Sequence, residues 1–157
     1  MVPIKLKEYL DSNNVRYVTV SHSRAYTAAE TAEAAHVHGE AFAKVTMVKV
    51  DGRMVMAVIA ASDMVDLDLL RAVCKAEHAE LAHEYEFKDI FPDCEPGAMP
   101  PFGNLYDVDV YVEEALTLNR SIAFNAGSHT ELVQMAYDDF ERLVKPVVAR
   151  FSTDYTA

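Results

Sequence analysis

Lys44 lies inside the apolar run AFAKVTMVKV, which passes through Asp51-Gly52 into a second apolar run, RMVMAVIAA. A lysine held at the rim of a covered sheet would present a fixed positive charge to a phosphate, a carboxylate or an ester oxygen. The plain alternative is a strand lysine that snorkels, its stem over apolar surface and its head in water. A second candidate is the stretch Gly97-Ala98-Met99-Pro100-Pro101-Phe102-Gly103, which could aim backbone N–H groups at a ligand oxygen or form a rigid surface cover. A third is His129, after Gly127-Ser128, which is either a hydrogen-bonding group of a site or a turn histidine. The residues alone leave each pair of readings open.

Other chemistries have no foothold. No GxGxxG, GxxxxGK[ST] or GxSxG occurs, so neither a nucleotide-binding fingerprint nor a hydrolase elbow is present. His36 and His38 come nearest to a metal pattern, but they stand at the end of an alanine-rich helix without a cysteine nearby. A structural metal site needs a fuller ligand set, so no metal is expected. The run Tyr137-Asp138-Asp139-Phe140-Glu141 is better placed to oppose a helix dipole than to act as a catalytic carboxylate pair. Cys74 and Cys94 fit no metal spacing and read as two free thiols of a reducing compartment.

At 157 residues the expectation is one domain over 1–157, ending in a polar, frayed tail at 152–157. A composition 51% hydrophobic and 25% charged is that of a soluble globular protein. No apolar run approaches the roughly 20 residues of a membrane span, and MVPIKLKEYL lacks a signal-peptide core. A cytoplasmic protein without membrane attachment is therefore expected. A net charge of -11 argues against broad, sequence-independent binding to nucleic acid, so an RNA partner would be engaged locally, at one end.

The elements that must position the candidates follow from pattern. Asp51-Gly52 between two β runs is a strong hairpin signal. Alternation puts Phe42, Lys44, Thr46, Val48 and Val50 on one face and Ala43, Val45, Met47 and Lys49 on the other, so the hairpin should be central and covered on both sides. Helices are predicted at Ile4 to Asn13, from Thr27 to near Gly39 with Glu30 completing a capping box, at about Asp66 to Lys75, and at Asp138 to about Val144. One or two helical turns are expected from Glu84 to Phe91. Strands are predicted at Arg16 to Ser21, Ala79 to Leu81, Asp109 to Val112 and Ser121 to Asn125. A turn at Gly127-Ser128 and a last strand through Val133 and Met135 follow. Phe91 to Tyr106 holds four of the six prolines and two of the five glycines, a long stiff loop of the kind that usually carries function.

Together AYTAAETAEAAHV, AFAKVTMVKVDG, EPGAMPPFG and AGSHTELVQMAYDDFERLV resemble, in order and spacing, the YbaK and prolyl-tRNA-synthetase-associated editing domain family. The resemblance spans roughly Tyr17 to Val144. It implies an α/β fold with a mixed, curved, partly barrel-like sheet and helices packed around it. It also implies hydrolysis of wrongly charged aminoacyl-tRNA without metal or cofactor. The family's lysine falls on Lys44, its Gly-x-x-x-Pro loop on Gly97 to Pro101, and the late-turn histidine of some members on His129. By the same resemblance Lys44, Gly97 and His129 are the catalytic candidates. Val45, Thr46, Ala98, Met99, Pro100, Pro101, Gly127 and Ser128 are the candidate substrate contacts.

The implied activity is deacylation in trans of a mischarged tRNA, with Ala- or Cys-tRNA(Pro) as the leading substrates. Its partners would be the tRNA acceptor end and an aminoacyl-tRNA synthetase, with the oligomeric state left open. A non-catalytic aminoacyl-tRNA or synthetase-binding module of the same fold is the alternative. An aminoacyl ester is already reactive, so orientation and oxyanion stabilisation can suffice without a strong nucleophile.

Overall fold

One helical turn separates Leu6 from Leu10, and both are wholly buried on the first helix, α1 (Ile4–Ser12), of a computed structural model that describes residues 2–25 and 27–154. Ile4, expected on the same face, is exposed at the first turn. Strand β1 (Tyr17–Ser21) precedes helix α2 (Ala28–Ala34), which Thr27 caps by accepting the Glu30 N–H on its Oγ1 at 3.0 Å. Helix α2 ends well short of the expected Gly39. His36 takes a φ of 57°, its N–H returns to the Glu33 carbonyl and that of Val37 to the Ala32 carbonyl, the bond pair of a Schellman stop. Asn14 ends α1 in the same way, as the Asn13-Asn14 signal predicts.

Strands β2 (Ala43–Val50) and β3 (Arg53–Ala60) form the expected hairpin around Asp51 (φ 50°) and Gly52 (φ 81°), the two positive φ values a type I′ turn requires. Strand β4 (Asp63–Val65) leads to helix α3 (Leu67–Val73), capped by Asp66, and then to β5 (Ala79–Leu81) and the short helix α4 (Glu84–Phe87). Beyond the proline-rich loop come β6 (Asp109–Glu113), β7 (Ser121–Ser128), β8 (Glu131–Ala136), helix α5 (Tyr137–Val144), β9 (Val147–Ala149) and β10 (Ser152–Asp154).

The ladders give a mixed α/β fold. A five-stranded sheet runs β5-β2-β3-β6-β9, antiparallel through the hairpin and parallel from β3 to β6 and from β6 to β9. A second, antiparallel sheet runs β1-β8-β7, and β4 pairs with β10. The hairpin is covered on both faces, as its two apolar faces require. Met47, Met56 and Val58 join the main core with Phe102, Phe124 and Phe140, while Val48, Val55 and Ile59 pack with Leu70 and Phe151 on the other side. Outside these ladders the two larger sheets share the isolated bridge Phe42 to Ala123, and the ladders of the described residues do not run on into a continuous barrel.

Two expectations are corrected. The turn does not fall at Gly127-Ser128: β7 continues through Ser128 because an irregularity between Asn125 and Ser128 absorbs the glycine, and the reversal is made by His129 and Thr130. The polar end is not frayed through residue 154, since Ser152–Asp154 pair with β4, while residues 155–157 lie outside those described. The reason is Glu113, 5% exposed, whose Oε1 accepts the N–H groups of Phe151 and Ser152 at 2.8 and 3.0 Å and whose Oε2 accepts that of Ala115 at 2.9 Å.

Replacing Glu113 removes the acceptor of three backbone donors at once. Glu113→Ala should lower stability by about 3 kcal/mol and the melting temperature by roughly 10 °C. Thermal denaturation followed by circular dichroism measures this, and an unchanged melting temperature would contradict the role given to Glu113.

Candidate functional site

A cavity of about 400 Å³ lies where β2 and β7 part beyond the Phe42 to Ala123 bridge. Ala43, Lys44 and Val45 line it from β2 and Asn125 from β7, while Gly97 and Met99 of the proline-rich loop form another wall. The remaining lining is small: Ala28, Ala29 and Ala61, with Thr27 at the start of α2. Lys44 is half-buried here, and its Nζ donates to the Asp63 carbonyl at the start of β4 at 2.7 Å. Its ammonium is thus tethered to the backbone at the start of β4.

The loop wall is built on backbone geometry. Ala98 N–H donates to the Glu95 carbonyl at 3.0 Å, with Pro96 second and Gly97 third in the turn at φ 83°. Those are the residues a type II turn selects, since proline presets the second position and the third needs a positive φ. The turn is pinned to β7 by two bonds through one residue: Glu95 N–H donates to the Gly127 carbonyl at 2.7 Å, and Gly127 N–H to the Ala98 carbonyl at 2.8 Å. Gly127 itself has a φ of 91°, which the bulge of β7 imposes.

His129 completes the clamp. Its Nε2 lies 3.0 Å from the Pro96 carbonyl oxygen, which can only accept, so Nε2 carries the proton. Its backbone N–H donates to Glu95 Oε2 at 3.0 Å, and Arg24 Nη2 meets the same oxygen at 3.2 Å. Burial opposes ionisation of Glu95, but the His129 N–H bond and the Arg24 charge outweigh it and hold the carboxyl below its ordinary range. A Cβ on Gly97 would stand 3.7 Å from His129 Cε1, an ordinary contact, so the glycine is required for its φ and not for space.

The structure thus brings Lys44, Val45, Gly97 and Met99 to one cavity. Ala98, Pro100 and Pro101 are buried beneath the loop and support it without lining the cavity. Thr46 lies further along β2, opposite Ala57 of β3. Gly127 and His129 act on the loop from behind, and Ser128 Oγ makes only a local contact with Thr130 at 3.3 Å. Pattern reading missed Thr27, the lining alanines and Asn125. Asparagine inside SIAFNAGS was the available signal, because it is depleted in strands unless something needs its amide.

Cys94, in the same loop, is no nucleophile candidate: burial pushes its thiol up to about 12. Among the described residues no three His, Cys, Asp or Glu side chains converge so as to hold a metal ion. Among the same residues no helix is long and apolar enough to cross a membrane.

Comparison with known proteins gives the following. The sequence model of the aminoacyl-tRNA editing domain matches residues 22–143. No curated protein sequence matches the chain. Among solved structures, a hypothetical protein, APE2540, superposes with a TM-score of 0.85 at 17% identity, over 95% of this chain and 99% of that one. A candidate trans-editing enzyme for prolyl-tRNA synthetase superposes with a TM-score of 0.80 at 16% identity, over 95% of each chain. A candidate signal transduction protein from Marinobacter aquaeolei VT8 gives 0.77 at 16% identity, over 98% of this chain and 31% of that one. At these identities the likenesses establish the fold.

The clamp has a pH signature. A carboxyl with a lowered pKa adds stability above the ordinary carboxylate range near 4.3, and that stability is lost as pH falls through the folded-state value. The advantage of wild type over Glu95→Gln, about 1 kcal/mol or less for a pair this exposed, should therefore shrink between pH 6 and pH 3. Urea denaturation across that range tests it, and an advantage independent of pH would contradict the assignment.

Proposed function

The chain belongs to the aminoacyl-tRNA editing domain family, and we propose that it hydrolyses in trans the ester of a mischarged tRNA, with Ala- or Cys-tRNA(Pro) as the substrates that suit it best. The observation that carries this reading is the juxtaposition of Lys44 and Gly97 on the walls of one cavity of about 400 Å³. That volume falls in the range of small-ligand sites.

In this reading the work is positional. The Pro96 carbonyl faces His129, and a trans peptide directs the following N–H the opposite way, so the Gly97 N–H faces away from His129. Among the described residues it meets no backbone acceptor. It is the donor for the ester carbonyl and for the oxyanion that develops when water attacks. A backbone donor fixed before the substrate arrives needs no reorganisation during the reaction. His129 is a positioning residue that sets the peptide plane through Pro96.

Lys44 contributes charge. Tethered to Asp63, its ammonium attracts the ester or the phosphate of the terminal adenosine without acting as nucleophile or general base. The terminal ribose hydroxyl of the substrate helps to activate the water, as the family resemblance implies. Met99, Val45 and the alanines favour a small side chain by exclusion, since binding alone separates neighbours differing by one methylene by only about 1–3 kcal/mol. With a net charge of -11 the protein engages the acceptor end and not the body of the tRNA, or is brought to it by a synthetase.

The test is deacylation of a panel of mischarged tRNAs. Lys44→Ala should lower kcat/KM on the best substrate by roughly 10²-fold while circular dichroism stays unchanged. Equal activity in a folded Lys44→Ala protein would remove Lys44 from the mechanism. Binding of aminoacyl-tRNA without turnover of any member of the panel would assign the chain to a non-catalytic binding module.

A further inference from the structure

Asn125 stands on the cavity wall with its side-chain oxygen buried and, among the described residues, without a hydrogen-bond donor. Buried polar atoms are nearly always paired, so an unpaired oxygen beside a cavity points to a group supplied from outside the chain, which the oxygen meets when the amide turns about χ2. We propose that Asn125 Oδ1 receives the α-ammonium of the aminoacyl group, an inference that rests on the aminoacyl-ester reading of this cavity.

Donor and acceptor counting leads there. An ammonium carries three donors and accepts nothing. Of the side chains that line the cavity, Lys44 can only donate, and Thr27 Oγ1 is engaged as the cap of α2 by the Glu30 N–H, with one lone pair left. The others are alanines, Val45 and Met99, and no carboxylate is among them. Asn125 Oδ1 is therefore the buried side-chain acceptor of the lining that receives no bond among the described residues.

Placement on the strands agrees. Phe124 and Ala126 are buried in the main core, so alternation turns Asn125 to the opposite face of β7, the face of Ala123. Ala123 is bridged to Phe42, and Asn125 stands two residues beyond Ala123 just as Lys44 stands two beyond Phe42. The amide and the lysine thus flank the gap from its two strands, while the lysine's Nζ is held at Asp63. A substrate whose ester lies by Lys44 and Gly97 would carry its amine to the β7 wall.

The choice of amide over carboxylate also follows. An aspartate at 125 would compete with the ester or phosphate for Lys44 and would cost desolvation whenever the cavity was empty. A neutral oxygen accepts from an ammonium without drawing the lysine away.

Two stable adenosine analogues test this in calorimetric titrations of the full chain. One carries alanine in amide linkage to the 3′ position, the other carries propionate there and so lacks only the amine. Wild type should bind the alanyl analogue about tenfold more tightly, and Asn125→Ala should bind the two alike. Asn125→Leu, nearly isosteric, serves as the second variant should alanine unsettle β7. A wild type without preference overturns the proposal, as does a preference that survives in either variant. So does an equal loss for both analogues in the variants, which would place the amide on the ester. Turnover of mischarged tRNA, measured in parallel, separates the two readings. Discrimination without turnover leaves the ammonium site and removes the deacylase, whereas turnover without discrimination does the reverse.

Discussion

Strands β2 and β7 touch through the rung between Phe42 and Ala123 and then separate, and the candidate site is the space that their separation leaves. Both residues are wholly buried and pack with Ala32, Ala61 and Leu132, so the contact is fixed by a small apolar cluster as well as by the bridge. Had the pairing continued, Lys44 and Asn125 would be neighbours in one sheet. Because it stops, both line a cavity whose other walls carry alanines together with Thr27, Val45, Gly97 and Met99.

The third wall is a loop, yet it is held as firmly as a strand. Gly127 both accepts from Glu95 and donates to Ala98, which closes the Pro96-Gly97 turn against the end of β7. His129 then holds the Pro96 carbonyl, and with it the peptide between Pro96 and Gly97. Each contact uses backbone groups that would otherwise need water, so the same bonds that satisfy the loop also aim it. Buried Pro100 and Pro101 contribute by restricting the chain beneath.

What was legible in the sequence was local. The hairpin, its turn and its two covered faces follow from Asp51-Gly52 and from alternation, and residue type alone marks Lys44 and Gly97 as candidates. Features set by distant partners were not legible. Nothing near Ser152 announces that Glu113, 39 residues away, will hold its N–H. The stop of α2 at His36 depends on a left-handed residue that alanine-rich propensity hides. The turn at His129 was displaced because a bulge in β7 takes up Gly127, and a glycine at a bulge and a glycine in a turn look alike in one dimension. Asn125 is hidden for a related reason: its neighbours read as a strand, and only the cavity makes its amide conspicuous.

The same distant bonds bear on Lys44. Its Nζ is held by the Asp63 carbonyl, which belongs to β4, and β4 is paired along its length with β10. Strand β10 is in turn entered through Phe151 and Ser152, whose N–H groups Glu113 accepts, and Phe151 is wholly buried against the second face of the hairpin that carries Lys44. The path from the hairpin through its far core and back to its own lysine closes on itself. An ammonium on a long flexible stem loses much rotamer freedom when it is fixed, and a carbonyl on a mobile loop would not offset that loss. Here the acceptor sits in a ladder anchored at its far end by a buried carboxylate, so the charge is placed by the sheet and the last described residues of the chain become part of what positions it.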